Sequence, residues 1–415
     1  MRFLSQYQVL IILIISLEKN NIQNYSTKTD TNNYNMILKK VFCHLVCVAL
    51  TDNGASKKDV LKFLSMEKTL KVHRDYFMMC DMVWRVDEKT FHKNLKKIKK
   101  LYLIGDVTRT VDFSNLWYFK SDKFNEPVED FKNLTRFECM KFNQKVKSFG
   151  RLRYFKCEDF NQSVSSFGNL KYFHCFRFNQ PVSSFGNLLH FQSSHFNQPV
   201  SSFGHLTYFQ CYEFNQPLSS FGNLTHFECF CFNQTVSSFG NLTHFKCFYF
   251  NQPVSCFSNL THFYSYNFNQ PVSSFGNLKH FESRYFYQPV SNFGNLTHFK
   301  CWYFNQPVSS FENLTHFICN FFYQPVSSFG NLTHFECADF KQPVSSFENL
   351  KEFICSDFNQ PISSFGNLTH FQCNDFDEPI SSFGHLKHFE CNNFSQPISN
   401  FDNLNYLKSS WFFTY

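Results

Sequence analysis

The chain repeats itself on one fixed period without a slip in register. The Phe that opens the Phe-Asn-Gln element recurs at Phe124, Phe142, Phe160 and then at every eighteenth position to Phe394, which makes 16 copies with no insertion. A typical copy reads N-L-T-H-F-E-C-x-x-F-N-Q-P-V-S-S-F-G. A short fixed period predicts a solenoid, in which each coil contacts only its neighbours. It also argues against catalysis. Every coil carries the same side chains, whereas an active site needs different groups converging on one point.

One coil, residues 314–331, shows the expected geometry. Leu314, Phe317, Cys319, Phe322, Val326 and Phe329 are the inward candidates. His316 and Ile318 alternate with Phe317 and Cys319, so they should face the other way. The spacing Leu314-x-x-Phe317-x-Cys319 is similar to the strand of a leucine-rich repeat. Gly330 supplies a turn, and Pro325, which has no N–H to give to a ladder, ends the strand region. About ten residues remain for the return path, too few for a helix, so extended or turn-like backbone is expected there. Ile98-x-x-Leu101-x-Leu103 fits the same strand pattern, so the ladder should begin before the obvious copies. Trp411-Phe412-Phe413 is placed to close the far end. The fold class expected is mainly β: a leucine-rich-repeat-like parallel solenoid of about 18 coils, each of about 18 residues, with a small α-helical cap module at the N-terminus.

Three segments follow. Residues 1–35 read as a disordered or weakly signal-like leader, because the apolar run Val9 to Ile15 is too short to span a bilayer and no small-residue cleavage site follows it. Residues 36–94 read as the helical cap. Ile37, Leu38, Val41, Phe42, Leu45, Val46, Ala49 and Leu50 recur at helical spacing, and further helices are expected from Lys57 to Leu70 and from about Tyr76 to Trp84. Residues 95–415 form the array. The net charge of +7 is uneven: residues 1–100 hold 18 Lys+Arg and 9 Asp+Glu, and the remainder 21 and 23. The array as a whole is therefore near neutral, which argues against a nucleic-acid surface. The run Lys93 to Lys100 reads as a solvated helix face.

Twelve of the 17 cysteines occupy one repeat position, from Cys139 to Cys391, and Ser takes that position at Ser193, Ser265, Ser283 and Ser409. The site asks for small volume rather than thiol chemistry. In-register side chains about 4.8 Å apart are too far for a disulfide. A reduced ladder inside the core suits an intracellular protein. The recurrent Asn-Leu-Thr, as at Asn223, Asn241 and Asn313, would be a glycan acceptor in a secreted chain, but glycans on neighbouring coils would collide.

The histidines at 226, 244, 262, 280, 298, 316 and 334 form the one metal-like pattern. A straight row does not give the three or four convergent ligands that a zinc site needs, so neither metal nor cofactor is expected. No nucleophile with a base, no phosphate loop and no unique carboxylate pair is present. What varies is the residue before the cysteine and the two after it. Phe230, Phe248, Tyr249, Tyr266, Tyr285, Trp302, Tyr303 and Phe321 make an aromatic region, Arg284 lies within it, and Asp339, Asp357 and Asp375 make an acidic strip. These are the candidate protein-binding residues, because exposed aromatic patches are common hot spots. If the strand runs on past the cysteine, alternation sends Trp302 and Tyr303 to different faces.

The elements N-L-T-H-F-x-C and F-N-Q-P-V resemble the FNIP repeats of social amoebae and of giant viruses of amoebae, over about three quarters of the chain. The coils here are shorter, with Phe for Leu and Cys for Phe. The resemblance implies a leucine-rich-repeat-like fold and a recognition role. Proteins of that kind often carry an F-box-like module, to which Asp59-Val60-Leu61-Lys62-Phe63-Leu64-Ser65 and Trp84 are similar, although the usual Leu-Pro opening is missing. That similarity implies a Skp-type adaptor as partner and a role as a ubiquitin-ligase substrate receptor. The function expected is a non-enzymatic protein-binding scaffold inside the cell (host cytoplasm if viral), with no nucleic acid and no membrane span. The alternative is a secreted or surface adhesin with BspA-like leucine-rich repeats, which share F-N-Q-P.

Overall fold

The computed structural model describes residues 83–87 and 99–409, apart from short stretches that mostly fall around the Ser-Ser-Phe of individual coils. The leader 1–35, the expected helices over 37–50 and 57–70, the F-box-like segment 59–65 and the tail 411–413 lie outside the described residues, as do Val326 and Phe329. Chain contacts divide the protein into two units.

In the N-terminal unit, Val83–Asp87 is a strand paired in parallel with Lys100–Ile104. The helix expected to reach Trp84 therefore does not include Val83 and Trp84, and Lys100 is the first residue of a strand rather than part of a helix face. The run Val83-Trp84-Arg85-Val86 is rich in residue types that favour a pleated strand over a helix. Leu101 and Leu103 are fully buried, as the spacing predicts. The Trp117 amide donates to the Lys99 carbonyl at 2.9 Å, and the Lys100 ammonium lies 4.3 Å from the Trp117 ring.

The second unit is the array. Sixteen short parallel strands, from Arg136–Cys139 to Tyr406–Ser409, pair in sequence order, each residue facing its equivalent one full repeat further on. Among the described residues the elements are all strands, with no helix. The described part of the return path is extended and turn-like, as so short a segment allows. Gly330 sits at φ 52°, in the left-handed region that glycine enters without steric cost, and this is the turn that the sequence placed there.

The core is built of ladders. Phe137, Phe155 and Phe173 stack with centroids 5.4 Å apart, and the Phe-Asn-Gln rings stack less closely, as Phe124 on Phe142 at 5.9 Å. The two columns meet edge to face, as Phe137 and Phe142 do at 5.1 Å. Offset stacking and edge contacts are the arrangements that the ring quadrupole favours. Leu314, Phe317, Cys319 and Phe322 are fully buried, while His316 and Ile318 point out.

The polar repeats are ladders too, and they account for the constancy of Asn-Gln. Asn143 Oδ1 accepts from the Asn161 amide at 2.9 Å and from Gln162 Nε2 at 3.0 Å, and this unit recurs from coil to coil. Each Asn thereby satisfies a backbone donor on the next coil. The Asn of Asn-Leu-Thr donates to a glycine carbonyl one coil back, as Asn313 to Gly294 at 2.9 Å.

The cysteine row needs more than small volume. Its thiols donate to the carbonyl of the core Phe in the preceding coil: Cys229 to Phe214 at 3.1 Å, Cys247 to Phe232 at 2.9 Å. At Ser193, Ser265, Ser283 and Ser409 the hydroxyl does the same, as Ser265 to Phe250 at 2.7 Å, whereas Ser121, one repeat before Cys139, is buried with no partner for its hydroxyl. From Cys139 to Ser409 the position always holds a small residue that can donate a hydrogen bond, Cys or Ser and never Ala. The ladder cysteines are free and buried, as the spacing argument expected.

Candidate protein-binding face

The outward strand positions and the turn after the cysteine make one continuous surface. Its first row is the histidines. The rings of His226, His244, His262, His280, His298 and His316 stack with centroids 4.1–4.3 Å apart. Thr225, Thr243 and Thr261 fix the tautomer. The Thr225 hydroxyl donates its one proton to the Thr207 carbonyl at 3.1 Å, so its oxygen accepts from His226 Nδ1–H at 2.9 Å. The same pairing recurs at His244, His262, His298, His316 and His370. That leaves Nε2 of each Thr-paired ring as an acceptor. The stacked rings aim these lone pairs side by side rather than at a shared point. Among the described residues no group of three or more His, Cys, Asp or Glu is arranged to hold a metal ion. Burial, reinforced by neighbouring imidazoles, holds His298 down to about 4, and it lowers His244, His262 and His280 as well.

The second row precedes the cysteines. Lys246 pairs with Glu228 at 2.7 Å and Lys300 with Glu282 at 3.0 Å, so its charges cancel in neighbouring couples. Between the two rows runs an open groove of about 480 Å³, from Tyr208 to Ile318, floored by Phe227, Phe245 and their equivalents.

The third row is aromatic. Tyr212 stacks on Phe230, Phe230 on Phe248 and Phe248 on Tyr266, each with centroids 4.4 Å apart. Arg284 continues the column, with its guanidinium 5.0 Å from the Tyr266 ring and 4.1 Å from the Trp302 ring. A fourth row lies beside it: Tyr285 stacks on Tyr303, and Tyr303 on Phe321, both at 5.3 Å. The two rows are neighbours, not opposite faces. Tyr249 meets Phe248 edge-on at 5.2 Å, and Tyr285 meets Tyr266 at 5.6 Å. The separation of Trp302 from Tyr303 by alternation is thus not what forms. In these coils the strand ends at or before the cysteine position and the chain turns, so period-two alternation stops there.

Exposure ranks the candidates. Trp302 and Phe321 are 38% exposed and Tyr249 43%, whereas Phe230, Phe248, Tyr266, Arg284, Tyr285 and Tyr303 are half-buried by their neighbours. Two members went unnoticed in the sequence, Tyr212 at 52% and Phe176 at 48%. Both share the register of Phe230, and following that register back one repeat at a time finds them.

The acidic strip stands apart. Here the strands lengthen to six residues, His334–Asp339, Glu352–Asp357 and His370–Asp375, which brings Asp339, Asp357 and Asp375 into register. Lys341 bridges Asp339 at 3.2 Å and Asp357 at 3.7 Å, and the Tyr323 hydroxyl donates to Asp339 at 2.8 Å. Burial and the Asp339 carboxylate push the Tyr323 phenol up to about 12. Lys341 therefore offsets one of the strip's three negative charges.

No family model matches this chain, and no curated protein does. Among solved structures, the chain is similar to one titled "Functional domain of InlJ from Listeria monocytogenes includes a cysteine ladder", at 14% sequence identity and a TM-score of 0.44, over 70% of each chain.

Proposed function

We propose that the array is a non-enzymatic protein-binding scaffold and that its partner seats on the aromatic rows beside the histidine stack. The observation that carries this reading is where the variation falls. Most described residues that repeat sit in the core or in coil-to-coil ladders, while the two rows after the cysteine, which change from coil to coil, lie half-buried to exposed at the surface and, between Tyr212 and Phe321, are largely aromatic. Large amphipathic rings held by their neighbours lose little entropy on binding, which suits them as anchors.

The chain acts in a reducing, intracellular compartment on this reading. Its ladder thiols are spent as hydrogen-bond donors to core carbonyls, and its Asn-Leu-Thr amides on glycine carbonyls of the preceding coil. In the FNIP-like reading the N-terminal segment is an F-box-like module for a Skp-type adaptor, and the array selects a substrate for a ubiquitin ligase. That part rests on the similarity of residues 59–65 and Trp84 to that module.

Affinity capture from the native cell tests the reading. The wild-type array should retain a partner that the combined Phe248→Ala, Trp302→Ala and Tyr303→Ala variant loses, with thermal unfolding nearly unchanged. Retention of every partner by that variant places the binding face elsewhere. The mass of the natural chain separates the intracellular reading from the adhesin one: cleavage near residue 20 with attached glycans would favour the adhesin.

A further inference from the structure

Arg284 breaks the aromatic column with the one cation in that stretch. Its guanidinium lies between the Tyr266 ring at 5.0 Å and the Trp302 ring at 4.1 Å, with the Tyr285 ring at 5.4 Å. Rings therefore flank the guanidinium on both sides. Its Nε is buried and finds no acceptor, although the residue as a whole is half-exposed. The adjacent charges do not serve it, because Glu282 is taken by Lys300 at 3.0 Å. Among the described residues no carboxylate forms an ion pair with Arg284. The column around it also favours oxygen anions. Rings stacked face to face present their edges outward, and the edge is the positive part of the ring quadrupole.

We propose that Arg284 is the anion-reading position of this face and takes the carboxylate of a Glu or Asp side chain that the partner presents beside apolar residues. This rests on the function proposed above and specifies its ligand. The charge count selects the carboxylate. One uncompensated guanidinium matches one single negative charge in bidentate geometry, while a phosphate near its full double charge calls for more than one cation. The apolar flanks of the ligand pack on Trp302 and Phe248, whose rings line the same row.

Full-length protein labelled with 5-fluorotryptophan provides the readout. It contains four Trp, and Trp302→Phe identifies the Trp302 resonance. The probes are acetyl-Phe-Glu-Phe-amide, its Gln counterpart and its phosphoserine counterpart. The Glu peptide should shift the Trp302 resonance with about tenfold higher affinity than the Gln peptide, the scale of one charge-assisted contact. Arg284→Gln should bind both peptides equally, with thermal unfolding unchanged. Arg284→Lys should keep only part of the preference, because the charge remains and the fork is lost. Equal affinity for Glu and Gln in the wild type, or a preference that survives Arg284→Gln, overturns the assignment and leaves the face in place. Tighter binding of the phosphoserine peptide than of the Glu peptide overturns the choice of carboxylate. If no peptide moves Trp302 at millimolar concentration, the assignment and the location of the face both fall.

Discussion

Replacing Cys247 separates two explanations of the cysteine row. The side chain is fully buried, and its thiol donates to the Phe232 carbonyl at 2.9 Å. Cys247→Ala removes the donor and leaves a small void. An unsatisfied buried acceptor costs about 1–3 kcal/mol, and the lost sulfur contacts add roughly 1 kcal/mol. Cys247→Ser keeps a donor in nearly the same place, as Ser265 already does for Phe250 at 2.7 Å. It should cost about 1 kcal/mol or less. The expected order is therefore wild type, Ser, then Ala, with Ala lower than Ser by about 2 kcal/mol. Repeat arrays do not always unfold in one step, so a single global midpoint does not resolve the cost to one coil. Amide hydrogen exchange over the coils from His226 to Tyr264 reads the local opening free energy instead. If Ala protects these amides as well as Ser does, the row needs only small volume and the hydrogen bond to the Phe carbonyl is incidental.

Acid should weaken the array through the histidine stack. His298 is lowered to about 4 in the folded chain from an ordinary 6.5, so between those values the unfolded state binds the extra proton. Stability is then complete above about 6.5 and falls as pH drops towards 4. Local exchange should accelerate in that window, and His298→Gln should flatten the slope; a slope unchanged by the substitution would discount the stack. Thiol labelling of native protein should be very slow at the ladder positions, because burial pushes Cys139 up to about 12 and raises the others, and labelling after denaturation should find them free. Phe245→Ala should destabilise its own and adjacent coils by about 3–5 kcal/mol, the usual range for a buried Phe, as measured by the same exchange experiment. Trp302→Ala should weaken a captured partner by about 2–4 kcal/mol in titration calorimetry, with no loss of thermal stability.

The register and the core were legible because a strict repeat period leaves one alignment. Leu314, Phe317, Cys319 and Phe322 could be placed inward from alternation alone, and Gly330 from the need for a turn. What alternation could not reach was the chain beyond the cysteine. There the backbone turns in most coils but stays extended at Asp339, Asp357 and Asp375, and nothing in one coil's sequence marks which will happen. The donor role of the cysteine row was present in the sequence as a Cys/Ser choice that excludes Ala. Its partner carbonyl belongs to the preceding coil and is met only when coils stack. The same is true of the Thr hydroxyls, which donate to the coil before and so fix the Thr–His bonds. The strand Val83–Asp87 was missed because helical spacing upstream was carried too far. The candidate site was legible as a set of variable positions. Its organisation into a stacked column that holds Arg284 between Tyr266 and Trp302 depends on the coil spacing.

The central claim is that a partner protein sits on the aromatic rows. Placing the photo-cross-linker p-benzoylphenylalanine at Trp302, and in a second protein at Asn313, tests it directly, since both positions are exposed but Asn313 belongs to the turn that carries the ladder to Gly294. After irradiation in the native cell, the account predicts a discrete protein adduct from position 302 and none from position 313. Adducts from position 313 with none from 302 would contradict it.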